Sequence, residues 1–178
     1  MKLLSLDPAA CCGWAYQDTD AAGLPLYGTW QLTRGAGEHP GQRLERLRGY
    51  IYDMHRAHGL DVIAFEDASF GSHNQHVKAL HNQLAGVILL TAAELGVEAL
   101  YAKPNAIKKF VTDDGRATKE QVMLSVYLHL GIKTEDANAA DALAVLLWAR
   151  GLPDRVRTEQ AKPKGRGRPR RKKEARLF

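Results

Sequence analysis

The sequence predicts an α/β fold, a five-stranded sheet with helices on both faces. Three observations carry that expectation. Short apolar runs of strand length recur along the first two-thirds of the chain, three of them in succession before any helical pattern begins. The later runs alternate with stretches whose apolar residues recur at helical spacing. Glycine punctuates the ends of those stretches at Gly59, Gly131 and Gly151.

Taken in order, MKLLSL reads as a fully buried strand, CGWAYQ as its neighbour after the tight turn DPAAC, and YGTWQL as a third strand beyond the Gly/Pro break AAGLP. Three successive strands predict an antiparallel meander. PGQRLERLRGYIYDMHRAHG places Leu44, Leu47, Ile51 and Met54 on one helical face and stops at Gly59. DVIAFE is the next buried strand, followed by a long helix over HNQHVKALHNQLAGVILLTAAEL and a further strand, VEALYA. Pro104 opens a short helix, PNAIKKFV. Two helices, TKEQVMLSVYLHLG and ANAADALAVLLWARG, complete the body. No internal repeat is present.

Bulk properties narrow the function classes. A chain of 178 residues can bury one good core, so a single domain with a tail is expected. No apolar run approaches the length of a membrane span, and MKLLSLDP turns acidic at once, so neither a transmembrane segment nor a signal peptide is expected. The adjacent Cys11 and Cys12 have poor geometry for a disulfide and no zinc spacing. Charge is divided unevenly. Residues 161–178 hold nine Lys/Arg against Glu174 alone, a net of +8, whereas the other 160 residues carry 16 Lys/Arg and 19 Asp/Glu, a net of −3. The expected organisation is a body over 1–152 and a basic segment over 153–178, disordered when free and suited to a polyanion.

Four acids stand at the ends of these elements: Asp7 after LLSL, Glu66 after VIAF, and Asp136 with Asp141 in DANAAD. A carboxylate buried alone after an apolar run costs several kcal/mol, so repeated placement of this kind points to a shared cationic partner. Hard oxygen donors without a Cys/His cluster favour Mg2+, with Mn2+ as a substitute, over zinc. Two cations about 4 Å apart can serve both the attacking and the leaving oxygen of a phosphodiester. Each acid alone also fits a turn residue or a helix cap.

LLSLDP, VIAFED, NAIKKFVTDDGRATKEQV and DANAADALAV, in that order, resemble the RuvC-type Holliday junction resolvases of the RNase H-like fold over about residues 1–150. The resemblance implies a mixed RNase H-like sheet and a homodimer that cuts four-way DNA junctions by paired phosphodiester hydrolysis. It places Asp7 on the central strand and Glu66 on its neighbour, with Asp141 near a helix start; Lys119 matches a family lysine near the scissile phosphate and Lys108 a second basic position, and solvated helix faces are the alternative for both lysines. Phe70 resembles the family aromatic that meets bases at the junction centre, a contact on the order of 1–3 kcal/mol. On the long helix, Leu84, Ala85, Gly86, Val87 and Ile88 are candidate dimer contacts, and the apolar residues among them equally fit the core. The last acidic pair departs from the family, which has D-x-x-D where this chain has Asn138 and Asp141, with Asp136 two residues earlier. In one continuous helix Asp136 and Asp141 lie about 140° apart, so Asp136 must precede the helix, as a ligand or as an N-cap.

The tail carries its own motif. Arg166-Gly167-Arg168-Pro169 resembles an AT-hook, in which Arg enters the narrow minor groove of A/T-rich DNA; a nonspecific polybasic arm explains the same residues. The function expected is a metal-dependent endodeoxyribonuclease for four-way junctions. A nuclease for forks, flaps or other branched DNA, and a non-catalytic DNA-binding protein on the same scaffold, are the alternatives. The expected setting is the cytoplasm of a bacterial or phage-infected cell, in association with the nucleoid.

Overall fold

The structure, a computed structural model, describes residues 1–67 and 74–152. Five strands, β1 (Lys2–Asp7), β2 (Cys11–Asp18), β3 (Leu26–Gln31), β4 (Val62–Glu66) and β5 (Glu98–Ala102), form one sheet in the order β3-β2-β1-β4-β5. The first three make the antiparallel meander, and β1 then pairs in parallel with β4, as β4 does with β5. The sheet is mixed, and β1 is its centre. Helices α1 (Gln42–His58) and α2 (Gln75–Leu95) cover one face; α3 (Pro104–Thr112), α4 (Lys119–Leu130) and α5 (Ala137–Gly151) cover the other. No described helix is long and apolar enough to cross a membrane.

The period-2 alternation of the strands decides which helices each side chain meets. Leu4 and Leu6 of β1 join Ile63 and Phe65 of β4 beneath α1 and α2, whose Leu47, Ile51, Leu84 and Ile88 are fully buried. Leu3 joins Val62, Ala64 and Leu100 on the opposite face, beneath α3, α4 and α5. Asp7 and Glu66 share the parity of Leu3 and Val62. They therefore face α5.

Helix α5 is apolar nearly all round and is the most deeply buried helix, with Ala139, Ala140, Ala142, Leu143, Val145 and Leu146 enclosed. Its alanines let it lie close to the sheet. Buried Ser5 of β1 donates to Ala142 O at 2.8 Å, which ties the helix to the central strand one residue from Asp141. The approach is tightest at Gly13 of β2, the partner of Asp7 in the β1–β2 register. A Cβ there would lie 1.9 Å from Asn138 O, so only glycine fits.

Helix ends follow the expected chemistry in most places. Thr118 and Gln121 form a reciprocal capping box at the start of α4, Asn74 caps α2, and Gly96 and Gly131 end α2 and α4 in left-handed conformation. The end of α5 differs from expectation. Gly151 is the last helical residue rather than a stop beyond the helix, and its small size serves packing: a Cβ would lie 2.2 Å from Phe110 Cζ.

Candidate metal-binding site

Asp7 ends β1 and Glu66 ends β4, one step beyond the parallel pair Leu6–Phe65, so the two acids are side by side on adjacent strands. Asp141, one turn into α5, reaches the same place from the helix that packs on that face. All three are only partly exposed. They are coupled. Burial first, then the Asp141 charge, pushes Asp7 up to about 7 against the pull of Lys119. Burial, Asp7 and Asp141 push Glu66 up to about 8, opposed by Lys108 and Lys119. Burial raises Asp141 above the usual carboxylate range, with Lys119 and Lys108 holding it back.

The two lysines are placed by α3, α4 and the turn between them. Lys119 is the first residue of α4, and its Nζ lies 3.5 Å from Asp141 Oδ2. Lys108 Nζ donates to Ala117 O at 2.9 Å, a bond that holds it near Glu66 and Asp141. Thr112 Oγ1 donates to Lys108 O at 2.8 Å and accepts from Asp114 N at 3.2 Å, closing the turn after α3.

Of the two roles the sequence left open for Asp136, ligand or N-cap, its hydrogen bonds in the folded chain are those of the second. It is the N-cap of α5: Oδ1 accepts from Asn138 N at 2.9 Å and Ala139 N at 3.2 Å, and Oδ2 accepts from Thr29 Oγ1 at 2.6 Å. These bonds, Thr29 foremost, hold its carboxyl below the usual range, opposite to the behaviour of Asp7 and Glu66. Its role is to pin the start of α5 to β3. We expect Asp136→Ala to cost about 1–2 kcal/mol through the lost cap, read as a fall of a few degrees in Tm. Asp136→Asn, which keeps an accepting oxygen, should melt near wild type and stay active; loss of activity at unchanged Tm would restore a ligand role.

Three residues that build the site were missed in the sequence. Gly13 carried a readable signal, since glycine inside a strand marks close backbone approach. Ser5 and Thr29 carried none, because their partners are more than 100 residues away in the chain. Phe70, Arg166 and Arg168 lie outside the described residues. Of the candidate dimer contacts, Leu84 and Ile88 belong to the core, Ala85 and Val87 pack against it, and Gly86 is exposed.

Among the described residues, no three Asp, Glu, His or Cys side chains are drawn together into a ready-made metal cage. The donor chemistry nevertheless fits a hard divalent cation: three oxygen-donor carboxylates, Asp7 raised by burial and by Asp141 and Glu66 by burial, Asp7 and Asp141, are countered by Lys119 and Lys108. A consequence follows for pH. Free Asp and Glu titrate near 4, so between about pH 4 and 8 the cation-free folded chain keeps protons that the unfolded chain has released. Its stability therefore falls as pH rises through that window and levels off above it. Melting in EDTA should show this decline, Asp7→Asn should flatten it, and Mg2+ should raise Tm most at pH 8, because a cation binds only the deprotonated acids. A pH-independent Tm in EDTA would contradict the coupling.

The strand order and the acidic cluster define a class, an RNase H-like scaffold with carboxylates converging at the ends of its central strands. Residues 3–148 match the family described as "Crossover junction endodeoxyribonuclease RuvC". A protein of that name from Chloroflexus aggregans is 33% identical over 150 residues, covering 83% of this chain and 91% of the relative. Another from Gloeobacter violaceus is 31% identical over 163 residues, covering 88% and 93%. The fold is similar to that of "T. thermophilus RuvC in complex with Holliday junction substrate", with a TM-score of 0.71 at 23% identity over 84% of this chain and 95% of that one. It is also similar, at a TM-score of 0.55 and 13% identity over 82% and 74%, to the yeast mitochondrial Holliday junction resolvase. The chain belongs to the RuvC family of crossover junction endodeoxyribonucleases.

Proposed function

We propose that this chain resolves four-way DNA junctions as a Mg2+-dependent homodimeric endonuclease, with Asp7, Glu66 and Asp141 holding the cation. The observation that carries the reading is the convergence of these three acids from β1, β4 and α5 in a member of this family. A bound divalent cation, Mg2+ or Mn2+ in its place, supplies activation of water and stabilisation of the leaving oxygen. The chain's own residues do the rest. Lys119, beside Asp141, and Lys108, fixed by its bond to Ala117, face the charge that builds on the phosphate and orient it over the acids. Ser5, Thr29 and Asp136 hold α5, and with it Asp141, at a fixed distance from the sheet.

The homodimer is assigned to the outward face of α2. Ala79, Gln83, Gly86, Leu90 and Ala93 are all exposed and recur at alternating spacings of four and three, which lines one face of the helix. Leu89 and Leu90 are 42% and 56% exposed there. Residues 1–152 form the cutting body. Residues 153–178, through Arg166, Arg168 and their neighbours, add salt-sensitive affinity for DNA, and Phe70 meets bases at the junction centre. The relatives' bacterial sources fit a cytoplasmic setting.

The testing experiment is cleavage of an immobile four-way junction beside fork, flap and linear duplex, with Mg2+, Mn2+ or EDTA. Paired cation-dependent nicks confined to the junction are expected. Preferential cutting of forks or flaps would move the substrate to another branched DNA, and tight binding without cleavage would leave a DNA-binding protein.

A further inference from the structure

An apolar groove between α3 and α4 takes no part in the acidic site. Its volume is about 310 Å3, its walls include Val111, Ala117, Leu124 and Leu128, and Asp113 and Asp114 line its edge. Leu124 and Leu128 are 57% and 71% exposed, and Phe110, just before Val111 on α3, is exposed as well. No Lys or Arg lines it. Such a groove suits a segment that carries an apolar pair beside a run of cationic residues.

The chain carries one segment of that description. After Val156 no large apolar side chain occurs until Leu177 and Phe178, and nine Lys/Arg fall from Lys162 to Arg176. The point of departure is also close. Gly151, at the end of α5, packs against Phe110 so tightly that a Cβ would lie 2.2 Å from its ring, so the C-terminal segment starts at the α3 edge of the groove. Twenty-four residues lie between Leu152 and Leu177. The end-to-end distance expected of a random chain of that length is roughly 25–30 Å, and tethering over such a distance gives an effective concentration on the order of millimolar. Weak contacts suffice at that concentration.

We propose that Leu177 and Phe178 dock within the same chain in the α3–α4 groove, with the Lys/Arg run drawn past Asp113 and Asp114. Docking places the cationic arm on the side of the body that carries Lys108 and Lys119, and so extends a positive surface outward from the acidic cluster. The arm is thereby presented to DNA from a fixed place.

The test uses the full-length protein with p-benzoylphenylalanine in place of Phe178, irradiated at low salt as a mixture of isotopically heavy and light chains. The expected product is a cross-link to residues 111–129 of the same chain, lost in the Leu124→Ser/Leu128→Ser variant. Those leucines are exposed, and melting checks that the variant folds. Cross-links between heavy and light chains would make the occupant a second copy and overturn docking within one chain. Cross-links elsewhere on the body, or none, would overturn use of the groove and leave it to another protein. A second measurement needs no probe: amide exchange over residues 121–129 should be slower in wild type than in Leu177→Ser/Phe178→Ser, and equal rates would also overturn the proposal.

Discussion

Asp7→Asn should abolish cation-dependent junction cleavage while leaving junction binding intact. Asp7 ends the central strand between Glu66 on β4 and α5 with Asp141, and burial first, then the Asp141 charge, raises its pKa. Asparagine keeps the shape and removes one charge. A cation held by this trio then loses a main attraction, and with it several kcal/mol of stabilisation of the transition-state charge; about 4 kcal/mol corresponds to a loss of roughly 1,000-fold in rate. The same substitution should raise Tm in EDTA at pH 8, since it removes a carboxylate whose ionised form is penalised by burial and by Asp141. Function and cation-free stability thus move in opposite directions. Single-turnover cleavage, junction binding and melting on one preparation check all three. A variant within tenfold of wild-type rate would remove Asp7 from the site.

Gly13→Ala should be the most damaging small substitution in the body. Its Cβ would meet backbone atoms, Asn138 O at 1.9 Å and Asn138 C at 2.5 Å, which cannot rotate out of the way. Helix α5 must then withdraw from β2 at the register position opposite Asp7. Overpacking costs about 1–3 kcal/mol and occasionally more, and contact with backbone places this case at the upper end, a fall in Tm of roughly 10 °C for a chain of this size. Cleavage should fall further than stability explains, because the withdrawal carries Asp141 away from Asp7. Gly151→Ala is the matched control. Its clash is with the ring of Phe110, a side chain exposed enough to swing aside, so a much smaller loss of Tm is expected. Equal effects of the two variants would contradict the view that α5 is locked at Gly13.

These two positions also show what the sequence could and could not tell. Asp7 and Glu66 were legible because an acid directly after a buried strand is expensive, and because strand alternation places both on the face of Leu3 and Val62. The element order followed from the same apolar runs, and the mixed sheet from the family resemblance. Asp136 and Asp141 could not be separated by spacing alone. What separates them is a hydrogen bond from Thr29, on an edge strand 107 residues away, which turns Asp136 into a cap and leaves Asp141 to face the sheet. Likewise the long α2 pattern did not reveal which apolar residues face outward, since Leu84 and Ile88 enter the core whereas Leu89 and Leu90 do not. Local pattern gives the residue types, and tertiary contact assigns their partners.

The most direct test of the acidic site is a crystal of the wild-type protein grown with Mn2+, examined by anomalous scattering. We expect Mn2+ density bounded by Asp7, Glu66 and Asp141, with Asp136 still bonded to Thr29 and to the start of α5. Density at Asp136 instead, or none among the three acids at saturating Mn2+, would contradict the assignment of the metal centre.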